Sequence, residues 1–226
     1  LIDLEDIHVK GVISQSDKRG KRGSEVVESF VSKVAKESLI PTFKEDDLNT
    51  KHFKDGIADL DIDILLVVAY GKILPNWLLS KPKLMPINIH FSLLPKYRGA
   101  SPIQSSLING DIVSGVTFIK MNADLDAGEI IDSFKCDISI NDNKISLEKK
   151  LTKISIEKLN EVLGNVKSNN ISLNHQDESK ASYCKKIKKI DGLINFNQSS
   201  PLIFNTFRAY KEWQQSTLYY KKILIK

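Results

Sequence analysis

Asn88 and His90 stand two apart in Ile87–His90 (INIH), a short strand candidate, so their side chains leave the same face. The amide can donate hydrogen bonds, and the imidazole can donate or carry a proton near neutral pH. Much further along the chain comes Leu125-Asp126-Ala127-Gly128-Glu129, a carboxylate on a glycine-bearing loop ahead of another strand. One amide, one imidazole and one carboxylate brought together would stabilise an oxyanion and move protons during acyl transfer. Each also has a plain reading: Asn-x-His on a strand is commonly structural, and Asp-Ala-Gly is commonly a turn. Ser92-Leu93-Leu94-Pro95 follows His90 directly, a rigid turn whose backbone groups can grip a planar heterocycle.

The elements that must position these residues alternate between strand and helix. His8–Ser14 reads as a strand, and a polar, basic stretch follows from Gln15 to Gly23. Val26, Val27, Phe30, Val31, Val34 and Ala35 recur at helical spacing, which predicts an amphipathic helix over Ser24–Ser38, ended by Pro41. Ile64–Ala69 (ILLVVA) is a continuous apolar run, the kind of strand buried on both faces of a parallel sheet. Ser101-Pro102 opens a helix through Ile108, with proline in its first turn. Gly115–Met121 and Glu129–Cys136 read as strands. Ser146–Leu163 reads as a second amphipathic helix, with Leu147, Leu151, Ile154, Ile156 and Leu159 along it. This alternation predicts an α/β fold, a Rossmann-like and mostly parallel sheet with helices on its faces. In such sheets ligands bind beyond the carboxyl ends of the strands. The polar stretch 165–182 reads as a linker between a domain over 1–164 and the start of a smaller, β-rich one over 183–226. There Ser199-Ser200-Pro201 caps a short helix through Tyr210, followed by strands at Thr217–Tyr220 and Lys222–Ile225.

The composition suits a globular protein. Of 226 residues, 41% are hydrophobic and 27% charged, and the net charge is +5, so a disordered acidic tail or a fibre is excluded. The longest apolar run, Ile64–Tyr70, is far short of the roughly 20 residues that cross a bilayer. Asp3, Glu5 and Asp6 stand where a signal peptide would need an apolar core, so a cytoplasmic protein is expected. Cys136 and Cys184 can form neither a disulfide framework nor a four-thiolate metal site. His8, His52 and His175 have no partners at metal-ligand spacing.

Asn88-x-His90-x-Ser92-Leu93-Leu94-Pro95 and the later Leu125-Asp126-x-Gly128 resemble the folate-dependent formyltransferase family. Val67–Pro75, Arg98–Gln104, Gly110-Asp111 and Gly115–Thr117 extend the likeness, which can be followed from about His8 to Tyr210. The resemblance implies transfer of a formyl group from 10-formyltetrahydrofolate to the amino group of methionine on initiator tRNA. It implies Asn88, His90 and Asp126 as the catalytic trio, with Asn88 and a protonated His90 as oxyanion donors and Asp126 orienting His90. Ser92, Leu93, Leu94 and Pro95 would be the folate-binding turn, with backbone contacts to the pterin from Ile73 and Leu74. No metal or nucleotide cofactor is implied. A monomer is expected, with initiator methionyl-tRNA as partner and no membrane.

Lys18, Arg19, Lys21 and Arg22 cluster between glycines, either as a solvated loop or as an arm closing on tRNA phosphates. The family resemblance favours the second reading and Arg22 within it. Lys185, Lys186, Lys188 and Lys189 carry the same two readings with nothing to separate them. Phe91 departs from the family, which commonly has glycine or proline there, and so bears on the width of the formyl pocket. The family's first strand is expected ahead of Leu1, and the second, OB-like domain is only begun. The 226-residue chain alone is therefore expected to be unstable or inactive. Two other functions compete: formylation of a sugar-nucleotide or purine-precursor amine, and a non-catalytic RNA-binding relative.

Overall fold

The computed structural model describes residues 1–19, 26–211, 217–220 and 223–225. The chain divides into two units, Leu1–Leu65 with Tyr70–Pro86, and Leu66–Ala69 with Ile87–Lys226.

In the first unit, β1 (Val12–Ile13) pairs in parallel with β4 (Thr42–Phe43), and β2 (Lys18–Arg19) pairs antiparallel with β3 (Val26–Val27). Between them lies α1 (Phe30–Glu37). The helix predicted from Ser24 is therefore shorter. Ser29 caps it by accepting from the Ser32 N–H, and Val26–Val27 belongs to a strand pair instead. It also ends before Pro41, where Leu39 turns the chain with φ 56°. Its apolar pattern is only partly buried: Ala35 and Ser32 face inward while Phe30 and Val31 are exposed. The strand expected over His8–Ser14 shrinks to two residues, since β4, its partner, is equally short. α2 (Lys51–Ala58), capped by Thr50, buries Phe53 and Ile57, and Phe53 stacks edge-on against Phe43 and Trp77. Beyond β5 (Ile64–Val68), α3 (Asn76–Leu79) completes this unit's helices.

Most of the sheet that matters for chemistry belongs to the second unit. Its order is β5, then β6 (Met85–His90), β8 (Val113–Lys120) and β9 (Glu129–Asp137), with β7 (Arg98–Gly99) and α4 (Pro102–Ile108) between β6 and β8 in sequence. The α/β class expected from the alternation of elements is the one observed. The short connection 121–128 makes β8 and β9 an antiparallel hairpin, and β8 also runs antiparallel to β6. β6 and β8 are buried almost throughout, whereas β5 is not the doubly covered strand its apolar run suggested: Val68 is 50% exposed. β5 ends the described strand order, so it has a neighbour on one side only.

α5 (Lys144–Lys167) packs on β8, β9 and α4. It starts earlier than predicted because Asn143 forms a capping box with Ser146. Its buried stripe runs Leu147, Leu151, Ser155, Leu159, Val162, Leu163 and Val166, and the 68% exposed Ile156 lies off it despite being apolar. After β10 (Tyr183–Cys184), which pairs in parallel with β7, α6 (Ser200–Tyr210) packs on α4 and buries Arg208 against backbone carbonyls of Ser139 and Asp142. Leu218–Tyr220 and Ile223–Ile225 form an antiparallel pair. Among the described residues no helix is long and apolar enough to cross a membrane.

The α5 stripe makes a directional prediction. Leu151→Ala should destabilise the fold by about 2–5 kcal/mol through the cavity it leaves. Ile156→Ala should stay within about 0.5 kcal/mol. Denaturant unfolding of the two variants compares them.

Candidate active site

Strand β6 delivers Asn88 and His90, and the β8–β9 connection delivers Asp126. In register, His90 lies opposite Thr117 and Asn88 opposite Ile119, so both are pinned by the ladder. Asp126 sits in a left-handed conformation, φ 50°, which turns its carboxylate back toward β6. Asn88 Nδ2 donates to Asp126 Oδ1 at 3.1 Å. The Gly99 N–H donates to Asp126 Oδ2 at 2.8 Å. His90 Nδ1 lies 3.7 Å from the same Oδ2. The structure thus brings Asn88, His90 and Asp126 together.

The carboxylate also depends on glycines. Gly99 has φ 116°, and a Cβ there would collide with the Cys184 carbonyl oxygen. A Cβ on Gly128 would collide with the Lys120 carbonyl oxygen. The close pairing of Arg98–Gly99 with Tyr183–Cys184, and the tight turn at Gly128, require hydrogen in place of a side chain.

The state of the imidazole follows from its other nitrogen. Nε2 lies 2.9 Å from the Tyr97 carbonyl oxygen, which can only accept, so Nε2 carries a proton. In neutral imidazole Nδ1 then presents its lone pair toward the Asp126 side. His90 is 5% exposed, and burial pulls its proton affinity below the ordinary 6.5, opposed by the negative charge of Asp126 and by the Tyr97 contact. The imidazolium expected as an oxyanion donor is thus disfavoured by burial and favoured by Asp126. Tyr97 itself holds φ 61°, and its hydroxyl donates to Asp111 at 2.7 Å. Burial first, then that hydrogen bond, pushes its phenol to about 12.

The Ser92–Pro95 turn is paired largely within the chain. The Thr117 hydroxyl donates to Ser92 O and accepts from the Leu94 N–H, while the Ser92 hydroxyl donates to Lys96 O. Pro95 O accepts from the Ser182 N–H, and the Leu94–Pro95 peptide is cis. Ser92 and Leu94 are buried, Leu93, Pro95 and Phe91 half-buried. In the other unit Leu74 is buried and Ile73 is 89% exposed. Lys18 and Arg19 form the short β2 strand, and Lys21 and Arg22 lie outside the described residues. Among the described residues no group of three or more His, Cys, Asp or Glu could hold a metal ion.

Composition did not reveal what the stretch after α5 contributes. Gln176 Nε2 donates to the carbonyl oxygens of Asp126 and Gly128, each at 2.8 Å. Gln176 and Glu178 both bind Arg98, a guanidinium only 1% exposed. Arg98 lies next to Gly99, whose N–H holds the carboxylate. A glutamine in a polar stretch gives no periodic signal; an arginine inside a buried block is the clue that acceptors must come from elsewhere.

Residues 3–163 match the family described as Formyl transferase, so this chain belongs to the formyl transferase family. Its relatives include the methionyl-tRNA formyltransferase of Buchnera aphidicola subsp. Baizongia pistaciae (strain Bp), 40% identical over 205 residues, 91% of this chain and 63% of that protein. The methionyl-tRNA formyltransferase of Sulfurihydrogenibium sp. (strain YO3AOP1) is 39% identical over 215 residues, 94% of this chain and 69% of the relative. The chain thus spans less than two thirds of the Buchnera protein's length. An N-formyltransferase from Helicobacter canadensis, solved with folinic acid and dTDP-3-aminofucose, superposes with a TM-score of 0.65 at 21% identity, covering 95% of this chain and 85% of that one. At that identity the likeness concerns the fold.

The imidazole's surroundings predict a titration. His90 should protonate below 6.5, and Asp126→Asn, which removes the charge that favours the imidazolium, should lower its midpoint further. Since the unfolded chain binds this proton near 6.5 and the folded one only at lower pH, His90 should cost stability as pH falls below 6.5. Histidine NMR titration and unfolding between pH 5 and 7 read both effects; an unshifted His90 midpoint would contradict the first.

Proposed function

We propose that the polypeptide carrying this chain transfers a formyl group from 10-formyltetrahydrofolate to the methionine amino group of charged initiator tRNA, in the cytoplasm and as a monomer. The observation that carries the reading is the convergence of Asn88, Asp126 and His90 at 3.1 and 3.7 Å, with the imidazole's free nitrogen turned to the carboxylate. The choice of acceptor rests on the relatives: the two methionyl-tRNA formyltransferases are 40% and 39% identical, against 21% for the structure solved with a sugar nucleotide.

The amine nitrogen attacks the formyl carbon, and the carbonyl π pair moves onto oxygen. Asn88 keeps a second amide hydrogen for that oxyanion after bonding Asp126. His90 Nδ1 takes the proton that the amine gives up, and the imidazolium is stabilised by Asp126. The tetrahedral intermediate then collapses, the bond to folate N10 breaks, and that nitrogen receives the proton. The products are formyl-methionine on tRNA and tetrahydrofolate, with no net proton gained or lost.

Ser92, Leu93, Leu94 and Pro95 belong to this proposal as the wall that receives the folate, shaped by the Thr117 hydroxyl. The pterin contacts at Ile73 and Leu74, and tRNA contacts at Lys18, Arg19, Lys21 and Arg22, rest on the family resemblance alone. So does the division into a catalytic domain over 1–164, a connection over 165–182, and the opening of a tRNA-binding, OB-like domain over 183–226.

Transfer of labelled formyl from the folate donor to charged initiator tRNA, compared with sugar-nucleotide and purine-precursor amines, tests the acceptor. Transfer only to a small amine would overturn the tRNA reading; RNA binding with no transfer at all would leave a non-catalytic relative. His90→Ala or Asp126→Ala should lower turnover by about 10²–10⁴-fold with tRNA affinity nearly unchanged. Arg22→Ala should instead weaken tRNA binding and flatten its salt dependence.

A further inference from the structure

We propose that Gln176 is a positioning residue for the catalytic carboxylate, clamping the Asp126–Gly128 turn to the buried Arg98; the inference rests on the acyl-transfer reading of Asp126. Every hydrogen-bonding group of this one amide is engaged. Oε1 accepts from Arg98 Nε at 3.0 Å and from Nη2 at 2.8 Å, while Nε2 donates to Asp126 O and Gly128 O at 2.8 Å each. The amide cannot be turned round, because a guanidinium only donates and a carbonyl only accepts. Glutamine is thus matched to the gap in a way that neither a carboxylate nor an ammonium group would be.

Arg98 in turn has no freedom to drift. Its Nη1 and Nη2 form a two-pronged pair with Glu178 at 2.9 and 2.7 Å, and Nη1 also donates to the Tyr183 hydroxyl at 3.1 Å. Asp126 therefore receives two restraints from consecutive positions. Gly99 holds its side chain directly, and Arg98 holds its backbone through Gln176. A residue at φ 50° with a carboxylate 3.7 Å from the imidazole needs such a hold, since that backbone region is poorly populated by residues with side chains. Gln176 touches no reacting atom and acts through Asp126. The charge facing His90 is that of Asp126; the nearby Cys184 thiol, which burial pushes up, stays neutral.

Two substitutions in the full polypeptide separate positioning from simple satisfaction of Arg98. Gln176→Glu keeps an acceptor for the guanidinium but turns a carboxylate oxygen toward the two carbonyls, so only the clamp is lost. It should fold with a Tm near that of the unsubstituted protein, while kcat for formyl transfer falls by about 10–100-fold and the donor KM changes little. Gln176→Leu adds no charge; as Asp126 drifts from the ring, the His90 midpoint in NMR titration should fall below that of the unsubstituted protein. A folded Gln176→Glu protein with unchanged kcat would overturn the proposal, and so would its failure to fold, which would make Gln176 a structural partner of Arg98. Should the unsubstituted protein transfer no formyl group, the acyl-transfer reading fails by itself, and the titration still decides the clamp: an unmoved His90 midpoint in Gln176→Leu overturns it, a lowered one supports it.

Discussion

A half-buried carboxylate beside a buried imidazole is the constraint around which the second unit is arranged. Withdrawing a carboxylate such as Asp126 from water is costly unless donors replace the solvent. Two donors supply that replacement, an amide on β6 and a backbone N–H at Gly99, while behind them the Gln176 amide holds the backbone of the turn. Each imposes its own demand on the fold. Asn88 must be in register with β8, Gly99 must lack a side chain, and the chain beyond α5 must return to the sheet.

The same logic explains Tyr97. Its backbone is bent so that the carbonyl reaches Nε2, and its hydroxyl donates to Asp111, just beyond α4, and accepts from the Asn109 amide. The imidazole is thereby held in one tautomer by a peptide group with no proton chemistry of its own. Electrostatics within the site is then simple, with one nitrogen committed and one available.

Much of this was readable from sequence, for identifiable reasons. β6, β8, α4 and α5 announced themselves because their burial is periodic or continuous, and two-apart residues on a strand necessarily share a face. The proposed catalytic trio was legible through the family resemblance, since spacing alone left Asn-x-His on a strand and Asp-Ala-Gly in a turn with structural readings. Elements with short, mutually dependent partners were not legible: Val26–Val27 looks like helix until Lys18–Arg19 supplies a pairing strand. Ile156 looks like core until Ser155 is seen to take the inward position, its hydroxyl bonding Leu151 O. Nor does spacing reveal how Gln176 reaches Asp126, since that contact depends on an arginine buried far upstream.

The clamp has a consequence for the order in which the protein is made. Asn88, His90 and Asp126 all leave the ribosome well before Gln176, Glu178 and Tyr183, and domains fold while synthesis is under way. Until those residues follow, Arg98 lacks the acceptors that it has in the complete chain. The centre reaches its final geometry only when the strand at Tyr183–Cys184 has been added beside Arg98–Gly99. Completion of the Asn88–His90–Asp126 cluster thus waits on a segment that lies outside it.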